Sequence, residues 1–180
     1  MPETPGAPSD KGADAMRSDE PALKLGRYEE IDLSRIGEFP VLARCHALWQ
    51  AAHRTGRLPA AIDVSLVPEE TLPYTMLLDY LPDKRDVRVR LAGTYVGERA
   101  TFADTGKGLR SFFSELDANI VFESLENVAR TGRPSLARRD YVSIEGKRYR
   151  YVRLILPVAL DGRDVSGFFK TIEPGSLEIG

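Results

Sequence analysis

Cysteine occurs once, at Cys45, so no disulfide forms within the chain and no cysteine cluster holds zinc. Histidine occurs twice, at His46 and His53, and residues 54–180 contain none. Those two histidines stand two helical turns apart and form no H-E-x-x-H pair. Ser65 lacks a nucleophile elbow, and no organised catalytic base is identifiable, so the chain is expected not to be an enzyme. A basic excess is also missing. With 25 Lys and Arg against 27 Asp and Glu the net charge is −2, which argues against a nucleic-acid partner. No apolar run approaches membrane-spanning length, and the opening MPETPGAPSDKGADAMRSDEP has no apolar signal core. No transmembrane segment and a cytoplasmic location are therefore expected. The glycines of TYVGERATFADTGKGLRSFF lack both the P-loop and the dinucleotide spacing and read as turns.

What is present suffices for one core and a tail: 180 residues, 42% hydrophobic and 29% charged. Residues 1–26, rich in Pro, Gly, Ala, Ser and Asp, predict a disordered tail. Residues 27–60 read as an N-terminal helical segment, and residues 61–175 as the domain proper. In the N-terminal segment, Ile31, Leu33, Ile36 and Phe39 suit a short turn or helix. Pro40 suits a first helical position, and helix is predicted from Val41 to His53. Val41, Cys45, Leu48 and Ala52 form one stripe there, with Leu42, His46, Trp49 and His53 beside it. So wide an apolar face predicts burial, either against the body or against a second subunit. Asp32-Leu33-Ser34-Arg35-Ile36-Gly37 matches half of a cyclic-dinucleotide signature, but its arginine half is absent and the match reads as coincidence.

Further along, Thr75–Tyr80 and Val87–Leu91 predict a hairpin, with Val87, Val89 and Leu91 on one face. A glycine-punctuated middle follows. Ser114 then caps a longer helix, whose inner stripe is Val121, Leu125 and Val128 and whose stop is Thr131-Gly132-Arg133-Pro134. Ser135–Ile144, Lys147–Pro157 and Val165–Ile172 read as strands, the first two joined at Glu145-Gly146. Two strands, then helices, then three strands predict an α+β domain: an antiparallel sheet with helices over one face.

Several segments carry a resemblance. They are Trp49, Arg54, Gly56, Leu58 and Pro59; Arg90-Leu91-Ala92-Gly93-Thr94; Thr131-Gly132-Arg133-Pro134; and Leu156-Pro157-Val158 followed by Asp161-Gly162. In this order, over roughly residues 40–172, the chain resembles a family of bacterial, largely proteobacterial, stand-alone PAS-like signalling proteins. The resemblance implies a five-stranded antiparallel sheet cupping short helices, preceded by an N-terminal helix that often mediates dimers. It also implies sensing or docking rather than catalysis. A photoreactive flavin needs a cysteine in the helical middle, and haem usually takes a histidine there. Cys45, His46 and His53 all precede that region, which argues against both cofactors.

Two functions follow. One is a signalling or scaffolding module that dimerises and binds an unidentified signalling protein, with Leu42, Cys45, Leu48, Trp49 and His53 as interaction residues. The other is a small-molecule sensor whose pocket, between sheet and helices, is walled by Tyr95, Phe102, Phe112 and Phe113. Arginines recur, and Arg88, Arg90, Arg148 and Arg150 are candidate anion contacts beside the plainer reading of a solvated sheet face. Arg153 belongs to the same run. The alternation from Arg148 to Tyr151 leaves the faces of that strand unassigned.

Overall fold

A computed structural model describes residues 21–95 and 105–180. Its strands are β1 (Leu23–Ile31), β2 (Met76–Leu81), β3 (Asp86–Ala92), β4 (Ser135–Ser143), β5 (Arg148–Val158), β6 (Gly167–Ile172) and the short β7 (Glu178–Ile179). They form one antiparallel sheet in the order β1-β4-β5-β6-β2-β3, with β7 also pairing β5. Two long helices flank it: α1 (Pro40–Ala52) and α2 (Glu115–Thr131). The fold is thus α+β with an open sheet, and the expectation of five strands is corrected. β1 and β7 are additional.

β1 was hidden because it is an edge strand. Its sequence LKLGRYEEI is mostly exposed, and its pairing to β4 shifts register between Leu25 and Tyr28. That bulge interrupts the two-residue alternation by which a strand is read. Leu23–Gly26, expected in the tail, belong to this strand, and Leu25 N–H also donates to Asp117 Oδ2 at 3.1 Å. A turn of 3-10 helix follows at Leu33–Glu38, with Asp32 accepting from Ser34 N–H as its cap. The half-signature residues therefore do ordinary turn chemistry.

The sheet separates two cores. On one face Leu42, Cys45 and Trp49 of α1 pack against Leu136, Val152, Leu154, Leu156 and Phe169. On the other, Phe122, Leu125 and Val128 of α2 pack against Leu78, Val87, Val89, Tyr141, Tyr151, Ile155 and Phe168. β5 alternates between them, as a strand covered on both sides must. Helices thus cover both faces, where one was expected, because α1 lies on the far side of the sheet from α2. No boundary at residue 60 separates β1 and α1 from the domain.

Each helix is fastened by a distant or local acid or hydroxyl. α2 begins on Ser114, whose Oγ accepts from Asp117 N–H at 3.2 Å, and ends on Gly132 at φ 63°. Phe39 gives α1 no side-chain cap. Instead the buried Glu173 carboxylate, just after β6, accepts from Val41 N–H at 3.0 Å and Leu42 N–H at 3.2 Å. An anion there also complements the helix dipole.

In the β2–β3 hairpin, Val87 and Val89 share one face as expected, the one that meets α2, but Leu91 does not. The register shifts between Leu77 and Leu78, leaving Arg90 as the extra residue and turning Leu91 to the opposite face, half exposed.

Candidate ligand-binding site

Between the sheet and α2 the packing is incomplete. A cavity of about 110 Å³ lies there. Its apolar walls include Leu78, Val87 and Val89 from the hairpin, Leu109, Phe112 and Phe113 from the segment before α2, and Leu125 from α2. Ile155 of β5 completes this side. The remaining wall is polar and belongs to the sheet: Arg139 and Tyr141 of β4, Tyr149, Tyr151 and Arg153 of β5, and Lys170 of β6.

Register explains that polar wall. Arg139 stands opposite Tyr151, Tyr141 opposite Tyr149, and Ala137 opposite Arg153, so alternate residues of both strands share the α2 face. Intervening residues turn the other way, where Asp140 pairs with Arg150 at 3.0 Å.

Both cavity arginines are buried, Arg139 at 4% and Arg153 at 2% exposure. Among the described residues neither forms an ion pair with a carboxylate. Arg153 reaches neutral acceptors: Ser135 Oγ at 3.2 Å, Ser135 O at 3.4 Å and Ser124 Oγ of α2 at 3.3 Å. Those lengths exceed the usual span of a charge-assisted bond, about 2.7–2.9 Å. Arg139 lies over the Tyr28 ring, its guanidinium carbon 4.6 Å from the centroid, and its Nε has no hydrogen-bond partner among the described residues.

The electrostatics follow from this crowding. Burial, and secondarily the like charge of Arg139, pulls the Arg153 guanidinium below its ordinary value, although Tyr28, Tyr141 and Tyr151 oppose the shift. Burial pushes the Tyr141 phenol up. The charges of Lys170 and Arg139, the Tyr151 hydrogen bond and the charge of Arg153 outweigh it and bring it down to about 8. The site is therefore a positive potential inside an apolar enclosure.

The residues singled out from sequence divide unevenly. Phe112 and Phe113 line the cavity. Tyr95 packs instead on Tyr74, with ring centroids 4.7 Å apart, and is not part of the wall. Phe102 lies outside the described residues. Arg88 is exposed and pairs with Asp79 at 2.8 Å, Arg90 approaches the same carboxylate at 3.7 Å, and Arg150 contacts Asp140 and Glu178. Arg148 is exposed near the β4–β5 turn. Apart from Arg148, these candidate anion contacts already have carboxylates. The buried arginines without a carboxylate among the described residues are Arg153, from the same run, and Arg139, which sequence reasoning missed. Arg139 was readable only through the β4–β5 register: Tyr149, Tyr151, Arg153 and Ile155 lie two apart, and Arg139 is their cross-strand neighbour.

The residues of α1 proposed for a subunit interface are placed elsewhere. Leu42 and Cys45 are fully buried and Trp49 nearly so, all against the chain's own sheet. Trp49 Nε1–H donates to Pro157 O at 2.8 Å. Leu48 and His53 are half-buried at the margin, His53 lying 5.0 Å from the Trp49 ring. Of the two outcomes left open by that apolar stripe, burial against the body is the one that occurs. Burial also pushes the Cys45 thiol up to about 12, which removes its nucleophilic character at neutral pH.

The residues that carry the resemblance meet at structural joints. Leu58 N–H donates to Gly162 O at 2.9 Å, Ala159 N–H to Pro59 O at 2.8 Å, and Arg57 Nη2 to Asp161 O at 2.9 Å. A Cβ on Gly93 would run into the carbonyl oxygens of Leu72 and Pro73. None of these contacts reaches the cavity. No family model, curated protein or solved structure matches the chain.

Proposed function

We propose that this chain is a non-enzymatic sensory module of PAS-like architecture that holds a small molecule between its sheet and α2. The carrying observation is the cavity whose wall includes the buried arginines Arg139 and Arg153, without carboxylate partners among the described residues. A charge buried without a partner costs several kcal/mol, on the order of what a domain's whole margin of stability tolerates. A bound ligand offsets that cost. The run from β2 to β6, two strands, then α2, then three strands, supports the PAS-like reading.

Occupancy has a route outward. Arg153 contacts Ser124 in the middle of α2, and Asp117 in its first turn accepts from Leu25 of β1. A ligand that recruits Arg153 acts on α2 and, through Asp117, on an edge strand open to a partner. Signalling through a protein partner thus fits as the output of the sensor. Dimerisation through α1 loses its motive, because the apolar stripe of α1 is already covered. Among the described residues no helix is long and apolar enough to cross a membrane.

Native mass spectrometry of the full chain tests the reading against the denatured mass. A small mass lost on denaturation supports it. A protein of bare mass whose thermal stability no small organic molecule raises would overturn it.

A further inference from the structure

Resting on that ligand-binding reading, we propose that the cavity takes a small organic monocarboxylate, its carboxylate between Arg139 and Arg153 and its apolar body against Leu78, Val89, Phe112 and Leu125.

The polarity of the cavity is divided. Arg139 and Arg153 share the sheet side with the tyrosines, whereas the hairpin, the segment before α2 and α2 itself contribute mainly hydrocarbon and phenyl rings. A small hydrated ion meets only one of those sides and leaves the apolar walls unpaired. A neutral apolar ligand fills the walls and leaves two guanidiniums uncompensated. A monoanion with one apolar body satisfies both.

The arginines are built for such a guest. The Nε of Arg139 is buried and has no acceptor among the described residues. Among the described residues Arg153 hydrogen-bonds neutral oxygens alone, at 3.2–3.4 Å. The fork of a guanidinium matches a carboxylate through two parallel N–H···O bonds, a geometry that a lone buried charge otherwise wastes. Size narrows the class. A cavity of about 110 Å³ is comparable to the engineered apolar cavity of about 150 Å³ that admits benzene. The body is thus about one ring or a short branched chain.

The test measures binding of benzoate and of its neutral isostere benzamide to the full chain by calorimetry, with thermal unfolding in parallel. Benzoate is expected to bind roughly tenfold or more tightly than benzamide, the factor that charged hydrogen bonds supply. Arg139→Met should erase that preference while leaving the ligand-free protein as stable as the parent or more so, because a buried charge without a carboxylate is removed. Arg139→Lys keeps the charge without the fork, and should weaken benzoate several-fold if the methionine variant does not fold. Equal binding of the two probes would overturn the carboxylate assignment and leave the ligand-binding reading standing. Binding of neither, with a bare native mass, would overturn both. Glu98→Gln/Asp104→Asn removes the two carboxylates of residues 96–104, which lie outside the described structure and precede in sequence the segment that walls the cavity. Benzoate binding that appears only in this variant would show an internal counter-ion and overturn the proposal.

Discussion

The two faces of the sheet use the same strands differently. On the α1 face, alternate residues of β5 (Val152, Leu154 and Leu156) meet Leu42, Cys45 and Trp49 in a core of apolar side chains. Its polar groups are fastened: Trp49 to Pro157 and Glu173 to the start of α1. On the α2 face, the intervening residues Tyr151, Arg153 and Ile155 border a cavity that also contains buried charge. The first face is a core of packed apolar side chains, with Trp49 and Glu173 hydrogen-bonded. The second breaks two rules of a stable core at one place, leaving a void and burying guanidiniums without carboxylates among the described residues. Such local violations mark sites that serve something other than stability.

The largest effect that separates the faces is expected from Trp49→Ala. Loss of the indole and of its hydrogen bond should cost about 3–5 kcal/mol in urea unfolding, whereas a cost below about 1 kcal/mol would show that α1 is not part of the core. Enlarging side chains gives the sharper contrast. Leu154→Phe should cost about 1–3 kcal/mol because its face has no room. Leu125→Phe, pointing at the cavity, should cost less or stabilise, and should compete with ligand. Equal costs would contradict the difference in packing. Glu173→Gln, which weakens the two bonds at the start of α1, should cost about 1–2 kcal/mol by the same unfolding measurement.

The smallest effect concerns protons. Tyr141 is surrounded by Lys170, Arg139 and Arg153 and by the phenols of Tyr149 and Tyr151, and titrates near 8, below its ordinary 10.0. Because the folded value is the lower one, ionisation of Tyr141 adds stability that is complete above about pH 10 and is lost as pH falls through about 8. Absorbance titration should show one of the seven tyrosines ionising near pH 8. Benzoate should push that step upward by occupying the same potential. Phenols that all ionise in the ordinary range would show that the cationic cluster is not as close as described.

The α1 face was the more legible of the two from sequence. Its stripe of Val41, Leu42, Cys45 and Trp49, with His46 as the one buried polar member, has helical period, and periodicity reports burial directly. The stripe did not say what covers it, since a sheet and a second subunit present the same apolar chemistry. The α2 face resisted because its inward residues are of kinds that usually face water. In Arg148–Tyr151, polar and aromatic residues occupy both parities, so only the cross-strand register assigns Tyr151 and Arg153 to the cavity. Bulges hid two other facts. One in β1 masked an edge strand, and one at Arg90 turned Leu91 away from Val87 and Val89. Glu173 could not be foreseen as a cap, because it lies more than 130 residues from the helix it serves.

The most direct measurement is a benzoate titration followed by backbone and side-chain NMR of the full chain. Shifts are expected to concentrate on Ser124, Leu125, Arg139, Tyr141, Tyr151 and Arg153, with Val152, Leu154 and Leu156 largely unmoved. Shifts confined to surface arginines such as Arg88 and Arg148, or spread equally over both faces, would contradict a ligand site built into one side of the sheet.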